Sequence, residues 1–163
     1  MRGLLALTIF GGGIAHATVA PALRIAEVAP DIPLIMVVLL ALRHGSEFGC
    51  LGGFAAGLLQ DAAGGGFLGV QACTKALVGF LVGAVAGRLR VTQPLVQVPG
   101  LVLLSVAEGL GRFALLKAFH FAPAFGGLMT YVVLPQALYN GFLGAACVLA
   151  LAWAEARRGG SPA

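Results

Sequence analysis

Apolar runs and short polar breaks alternate along the chain. Between Ala29 and Gly87 there are three runs, Ile32–Leu42, Phe48–Leu59 and Phe67–Ala86, set apart by RHGSE (Arg43–Glu47) and DAAGGG (Asp61–Gly66). A helix needs about 20 apolar residues to cross a bilayer unaided, and only the third run reaches that; the first two are short. Short spans hold when neighbouring helices bury them, and the glycines suggest close neighbours. Gly49, Gly53 and Gly57 recur every fourth residue, as do Gly79, Gly83 and Gly87. Each set forms a stripe on its helix where another backbone can come close. Two such stripes around a glycine turn predict a tight helical hairpin.

The flanking sequence extends the pattern. Gly3–Ile9 and Ala17–Leu23 together make a span-length apolar segment. Arg2 followed by Gly3–Ile9 and Ala15-x-Ala17 also has the form of a cleavable signal peptide, but the apolar character continuing to Leu23 favours a retained helix. The second span is expected to begin near Ile32, with Asp31 as N-cap and Pro33 near the first helical position. After Pro94 and Pro99 a fifth span is expected from about Gly100 to Phe119. From Leu128 to Ala154 there are more residues than a span needs, and Pro135 either kinks that helix or opens it. The expected architecture is a single all-α polytopic membrane domain of about six spans, near 3–23, 32–43, 47–60, 67–87, 100–119 and 128–154. Two spans are short, and residues 155–163 form a disordered cytoplasmic tail.

Composition supports this class. Hydrophobic residues make up 60% of the chain against 10% charged, and the mean hydropathy of +0.99 excludes an ordinary soluble domain. The net charge of +4 comes from scattered basic residues, so it argues for topology rather than nucleic-acid binding. With six spans and a cytoplasmic N-terminus, Arg2, Arg43, Arg88, Arg90, Arg157 and Arg158 fall inside, while Arg24 and Lys117 fall outside. That satisfies the positive-inside rule and gives an N-in, C-in, multi-pass arrangement. Spans two and three could instead form a re-entrant hairpin without changing the downstream orientation.

Three ionisable residues lie within spans: Lys75, Glu108 and Arg112. At membrane depth such groups are functional candidates by default. Glu108 and Arg112 stand in the favourable i,i+4 order, and Lys75 and Glu108 fall at matching depths on neighbouring spans. Asp61 is placed to offset Arg112. The set reads either as an internal charge network that fixes helix register or as a polar cavity opening outward. Pro135, Gln136, Tyr139 and Asn140 make a second polar cluster suited to bridging helices. Cys50, Cys73 and Cys147 read as packing thiols, and the dispersed histidines have no ligand spacing, so neither a metal nor a cofactor is expected. No GxSxG, HExxH, Walker or paired-carboxylate motif occurs, so no enzyme is indicated.

The chain also resembles a known family. Pro30, Asp31, Ala41–Gly45, Gly49, Gly53, Phe54, Gly57, Leu58, Asp61, Gly64, Gly69 and Leu77–Gly83 are similar in order and spacing to the rod shape-determining MreD family. A second match is LPQALYN (Leu134–Asn140), where Pro135 and Asn140 stand in an LPxALxN pattern; Gly144–Ala146 replaces a proline the family often carries. The resemblance implies a non-catalytic scaffold of the elongation machinery for peptidoglycan synthesis. Its implied partners are MreC, a single-span periplasmic protein, and, directly or through it, MreB and the glycan polymerase/transpeptidase pair. A homodimer is a further option, with the glycine faces and the Pro135–Asn140 cluster meeting a partner's helix. The alternative is a substrate-binding membrane subunit of an energy-coupling-factor-type transporter, in which Lys75, Glu108 and Arg112 hold a small polar or anionic ligand. Against it, the outer loops read as short and nearly free of aromatic residues.

Overall fold

Every regular element among the described residues is helical. The structure, a computed structural model, describes residues 28–64, 67–89, 94–121 and 123–159, with isolated positions at 11, 18 and 22. The expected first span and the residues beyond Gly159 lie outside the described residues. The elements are α1 (Ile32–His44), α2 (Ser46–Gly64), α3 (Val70–Leu89), α4 (Pro94–Ala118), the single turn α5 (Phe125–Leu128), a π-turn (Met129–Val133) and α6 (Leu134–Gly159).

The shortest long element sits at the centre. α1 has 13 residues, apolar on all sides, and Leu34, Val37, Val38 and Ala41 are buried, as expected of a helix with no polar face. It packs on α2 and α3 and touches α4 and α6, which pack on each other. The Asp31 side chain caps α1 by accepting from the Leu34 amide at 3.0 Å. Gly45 ends the helix at φ +87°, a conformation in which a side chain would be strained, and returns the chain at once into α2.

α2 is not the short helix its apolar run suggests. It continues through Asp61 to Gly64, 19 residues in all, because Ala62 and Ala63 are strong helix formers. It runs antiparallel to α3 as a dry hairpin. A Cβ on Gly49 would strike the carbonyl of Gly79, and one on Gly79 would strike Gly49; one on Gly53 would strike the carbonyl of Lys75, and one on Gly57 that of Gln71. Gly83 lies against Gly45 and Ser46. The predicted hairpin is therefore present, but its glycines face each other inside it. They do not form the exposed faces on which a partner's helix was expected to dock. Gly87 belongs to α3, beyond the positions whose packing is described.

α4 begins six residues earlier than expected, at Pro94, and carries Pro99 within it. The interior proline removes only the bond to the carbonyl of Leu95. The segment Pro99–Ala118 is the one described stretch long and apolar enough to cross a membrane on its own. Ahead of α6 the Leu134 amide bonds to the Met129 carbonyl, five residues back. This widened turn gives room to the ring of Pro135, which would otherwise crowd the preceding turn. α6 then runs on to Gly159, past the point where a tail was expected. The sequence Ala154–Arg158 favours helix, and the Arg157 guanidinium stacks 3.6 Å from the Trp153 ring one turn earlier.

Candidate functional site

Side chains at helical spacing on three helices converge beside the start of α1. α3 contributes Gln71, Thr74 and Lys75, α4 contributes Ser105, Glu108 and Arg112, and α6 contributes Gln136 and Asn140. Lys75 is the hub, with none of its side chain exposed. Its ammonium lies 2.7 Å from Asp31 Oδ2, 3.0 Å from Gln71 Oε1 and 3.2 Å from Glu108 Oε1. An ammonium has three donors, and here each has an acceptor. Glu108 is 2% exposed, lies 3.1 Å from the Thr74 hydroxyl, and its other oxygen is 3.6 Å from Arg112. Two anions and two cations thus balance within one cluster, the arrangement that makes buried charge tolerable.

The cluster continues into the backbone ahead of α1. At about 1.5 Å per residue α1 covers roughly 20 Å, short of the roughly 30 Å hydrocarbon layer. The chain before it, Val28–Asp31, is non-helical and mostly buried. Asp31 lies at the depth of Lys75 and Glu108 rather than at a helix end in water. Non-helical backbone at such depth needs protein partners, and α6 supplies them. Gln136 Nε2 donates to the Ala29 carbonyl at 3.0 Å, and the Asp31 amide donates to Asn140 Oδ1 at 2.7 Å. Asn140 Nδ2 in turn donates to Ser105 Oγ at 3.1 Å, and Arg112 donates to Gln136 Oε1 at 3.3 Å.

The structure joins the two polar clusters of the sequence into one. Lys75, Glu108 and Arg112 meet, and Gln136 and Asn140 belong with them. Pro135 and Tyr139 lie half-buried beside this junction. Asp61 stands apart, which corrects its expected place opposite Arg112. Its carboxylate accepts from the amides of Gly69 at 2.8 Å, Gln71 at 3.1 Å and Ala72 at 3.3 Å. The open amides at the start of α3 are nearer and hold an anion well. Asp31 is the residue the sequence does not single out: it caps α1 as expected, but it is buried and joined to Lys75. The one sign of it is the shortness of the run Ile32–Leu42, which lets its cap sit buried among neighbouring helices. The expected lack of aromatic residues in the connections also fails, because Phe67, Phe119 and Phe121 lie there, exposed, with Phe125 at the start of α5.

With this geometry in place, one comparison is decisive. The model of the family described as rod shape-determining protein MreD matches residues 1–153. The chain belongs to the MreD family. No curated protein and no solved structure matches it. MreD proteins are shape-determining structural proteins of the membrane, not a known enzyme family, and are associated in general with the MreC/MreB shape complex. A role in rod-shape determination follows for this chain. The family-like residues occupy the two structural devices described above: the MreD-like glycines form the hairpin, while Asp31 and Asn140 meet in the polar junction.

Proposed function

We propose that this MreD chain is a non-catalytic scaffold of the elongation complex, a six-span, N-in, C-in protein of the inner membrane that binds MreC and through it reaches MreB and the wall-synthesis enzymes. The observation that carries this reading is the enclosure of Lys75. All three of its donors are engaged by groups of the same chain, so the junction serves to hold helices rather than to receive a ligand. That argues against the transporter-subunit alternative, in which Lys75 would have to be available to a substrate. Because the glycine stripes are closed on each other, a partner's helix has to dock on faces clad in side chains. Leu51, Phe54, Leu77 and Phe80 on the hairpin, and Leu103, Leu138 and Phe142 on α4 and α6, are exposed in this way.

The test is a mild-detergent pull-down of the tagged chain from its own membranes. Stoichiometric MreC is the expected outcome, retained by the native chain and lost when Leu77 and Phe80 or Leu138 and Phe142 are replaced in pairs by alanine. Recovery of an ATPase-bearing transporter module in place of MreC would overturn the scaffold reading.

A further inference from the structure

The end of the bundle that holds the α2–α3 and α4–α5 connections carries an aromatic ledge. The rings of Phe67 and Phe121, from the two separate connections, are 4.4 Å apart. Phe125 lies 5.1 Å from Phe113 of α4. Phe67, Leu68, Phe119, Phe121 and Phe125 are all exposed, Leu68 by 71% and Phe119 by 62%. So large an apolar surface at the tip of connecting loops requires a cover.

The polar junction serves as a ruler for what covers it. From Ser105, which Asn140 contacts, to the end of α4 at Ala118 is about 20 Å at 1.5 Å per residue, and from Asn140 to Trp153 in the other direction is about 20 Å. Together these match a bilayer of about 40 Å including its interfacial layers. Trp153 and Arg157 then mark one boundary, and Phe119 and Phe121 follow directly on the other. Charge agrees with a lipid cover. Lys117 is exposed beside the ledge, while the carboxylate of Asp61 is turned inward onto backbone amides. Apolar rings with an adjacent cation suit the acyl boundary and phosphate layer of a phospholipid leaflet.

We infer that the Phe67–Phe121 ledge is a lipid-interface anchor, seated in the headgroup–acyl boundary of the leaflet opposite Trp153. The inference rests on the membrane placement proposed above. It is tested on the full chain with its single tryptophan replaced, Trp153→Phe, and one reporter at a time introduced as Phe67→Trp, Phe121→Trp or Phe142→Trp. Each is reconstituted into vesicles of phosphatidylethanolamine and phosphatidylglycerol bearing a spin-label quencher near the headgroup or at the chain end. Reporters at 67 and 121 are expected to emit blue-shifted light, to be quenched several-fold more by the shallow label than by the deep one, and to resist aqueous acrylamide. The reporter at 142, exposed two residues beyond Asn140, should prefer the deep label. Water-like emission with acrylamide quenching at 67 and 121 would overturn the proposal and leave the ledge to a protein partner. Shielding from both water and lipid would overturn it too, by showing a second copy over the ledge. Loss of lipid quenching at 142 as well would instead refute the membrane placement itself. The reporters at 67 and 121 come from separate loops, so misfolding of one variant leaves the other to decide.

Discussion

On one side of α3, Gly53 of α2 lies on the backbone of Lys75; on the other side, the ammonium of the same Lys75 reaches Asp31 and Glu108. The first contact is dry and specified by the absence of a side chain. The second is polar and specified by complementary charge. Both hold helices together where water cannot drive the association, and they fail in different ways. Close backbone packing admits no added atom, whatever its polarity. A buried ion pair tolerates exchange of its members as long as no charge is left alone.

The largest effect is therefore expected on the dry side. In Gly53→Val the new Cβ falls on the Lys75 carbonyl and on Ala76, which are backbone and cannot swing away. A loss above about 4 kcal/mol is expected, the range of severe core disruption, seen as aggregation on size exclusion in detergent and as no rescue of rod shape in cells. Gly100→Ala is the control, since nothing lies within 4 Å of the added atom. It should stabilise α4 by up to about 1 kcal/mol through helix propensity. Equal damage from the two substitutions would show that the hairpin is not packed backbone to backbone.

On the polar side, Lys75→Met keeps the side-chain volume and removes the charge. It leaves the Asp31 carboxylate buried without a cation, and a loss of about 3–5 kcal/mol is expected, read from thermal melting in detergent. Adding Asp31→Asn should recover most of it. Asparagine still caps α1, and Glu108 keeps Arg112 and Thr74. The double-mutant cycle measures the coupling directly. Additive losses would mean that Lys75 acts on something other than Asp31.

How much of this was readable in advance follows the same division. Glycines at a constant spacing of four can only be a stripe, so the hairpin was legible from Gly49–Gly57 and Gly79–Gly87. The pairing of Lys75 with Glu108 was legible too, because counting residues from helix ends gives depth. Three features escaped for physical reasons. Asp31 is hidden because an N-cap is expected to face water, whereas here it is buried and paired with Lys75. Asp61 was assigned by charge to Arg112, but unpaired amides at the start of α3 attract a carboxylate as well and lie closer. The π-turn before Pro135 leaves no mark in the sequence beyond the proline itself, which is equally compatible with a kink or a helix start.

A middling effect is expected where the junction meets the non-helical backbone. Asn140→Leu removes the acceptor of the Asp31 amide and the donor to Ser105. Leaving a buried amide without a partner costs about 1–3 kcal/mol. Melting in detergent should show the loss, and hydrogen exchange should rise at the Asp31 amide while the hairpin amides stay protected. Uniform deprotection of the hairpin would show that the two sides of α3 are not independent.

The smallest effect is expected at Asp61, which separates the two readings of that residue. If its carboxylate only caps α3, Asp61→Ala costs about 0.5–2 kcal/mol, the usual worth of an N-cap, because water near the exposed loop can replace part of what is lost. Exchange should then rise at Gly69, Gln71 and Ala72, the three amides it receives. Lys75, one turn further along α3, should keep its ion pairs, so combining Asp61→Ala with Lys75→Met should give a simple sum. A clear coupling between them would return Asp61 to the charge network and make the polar side of α3 extend to its first turn.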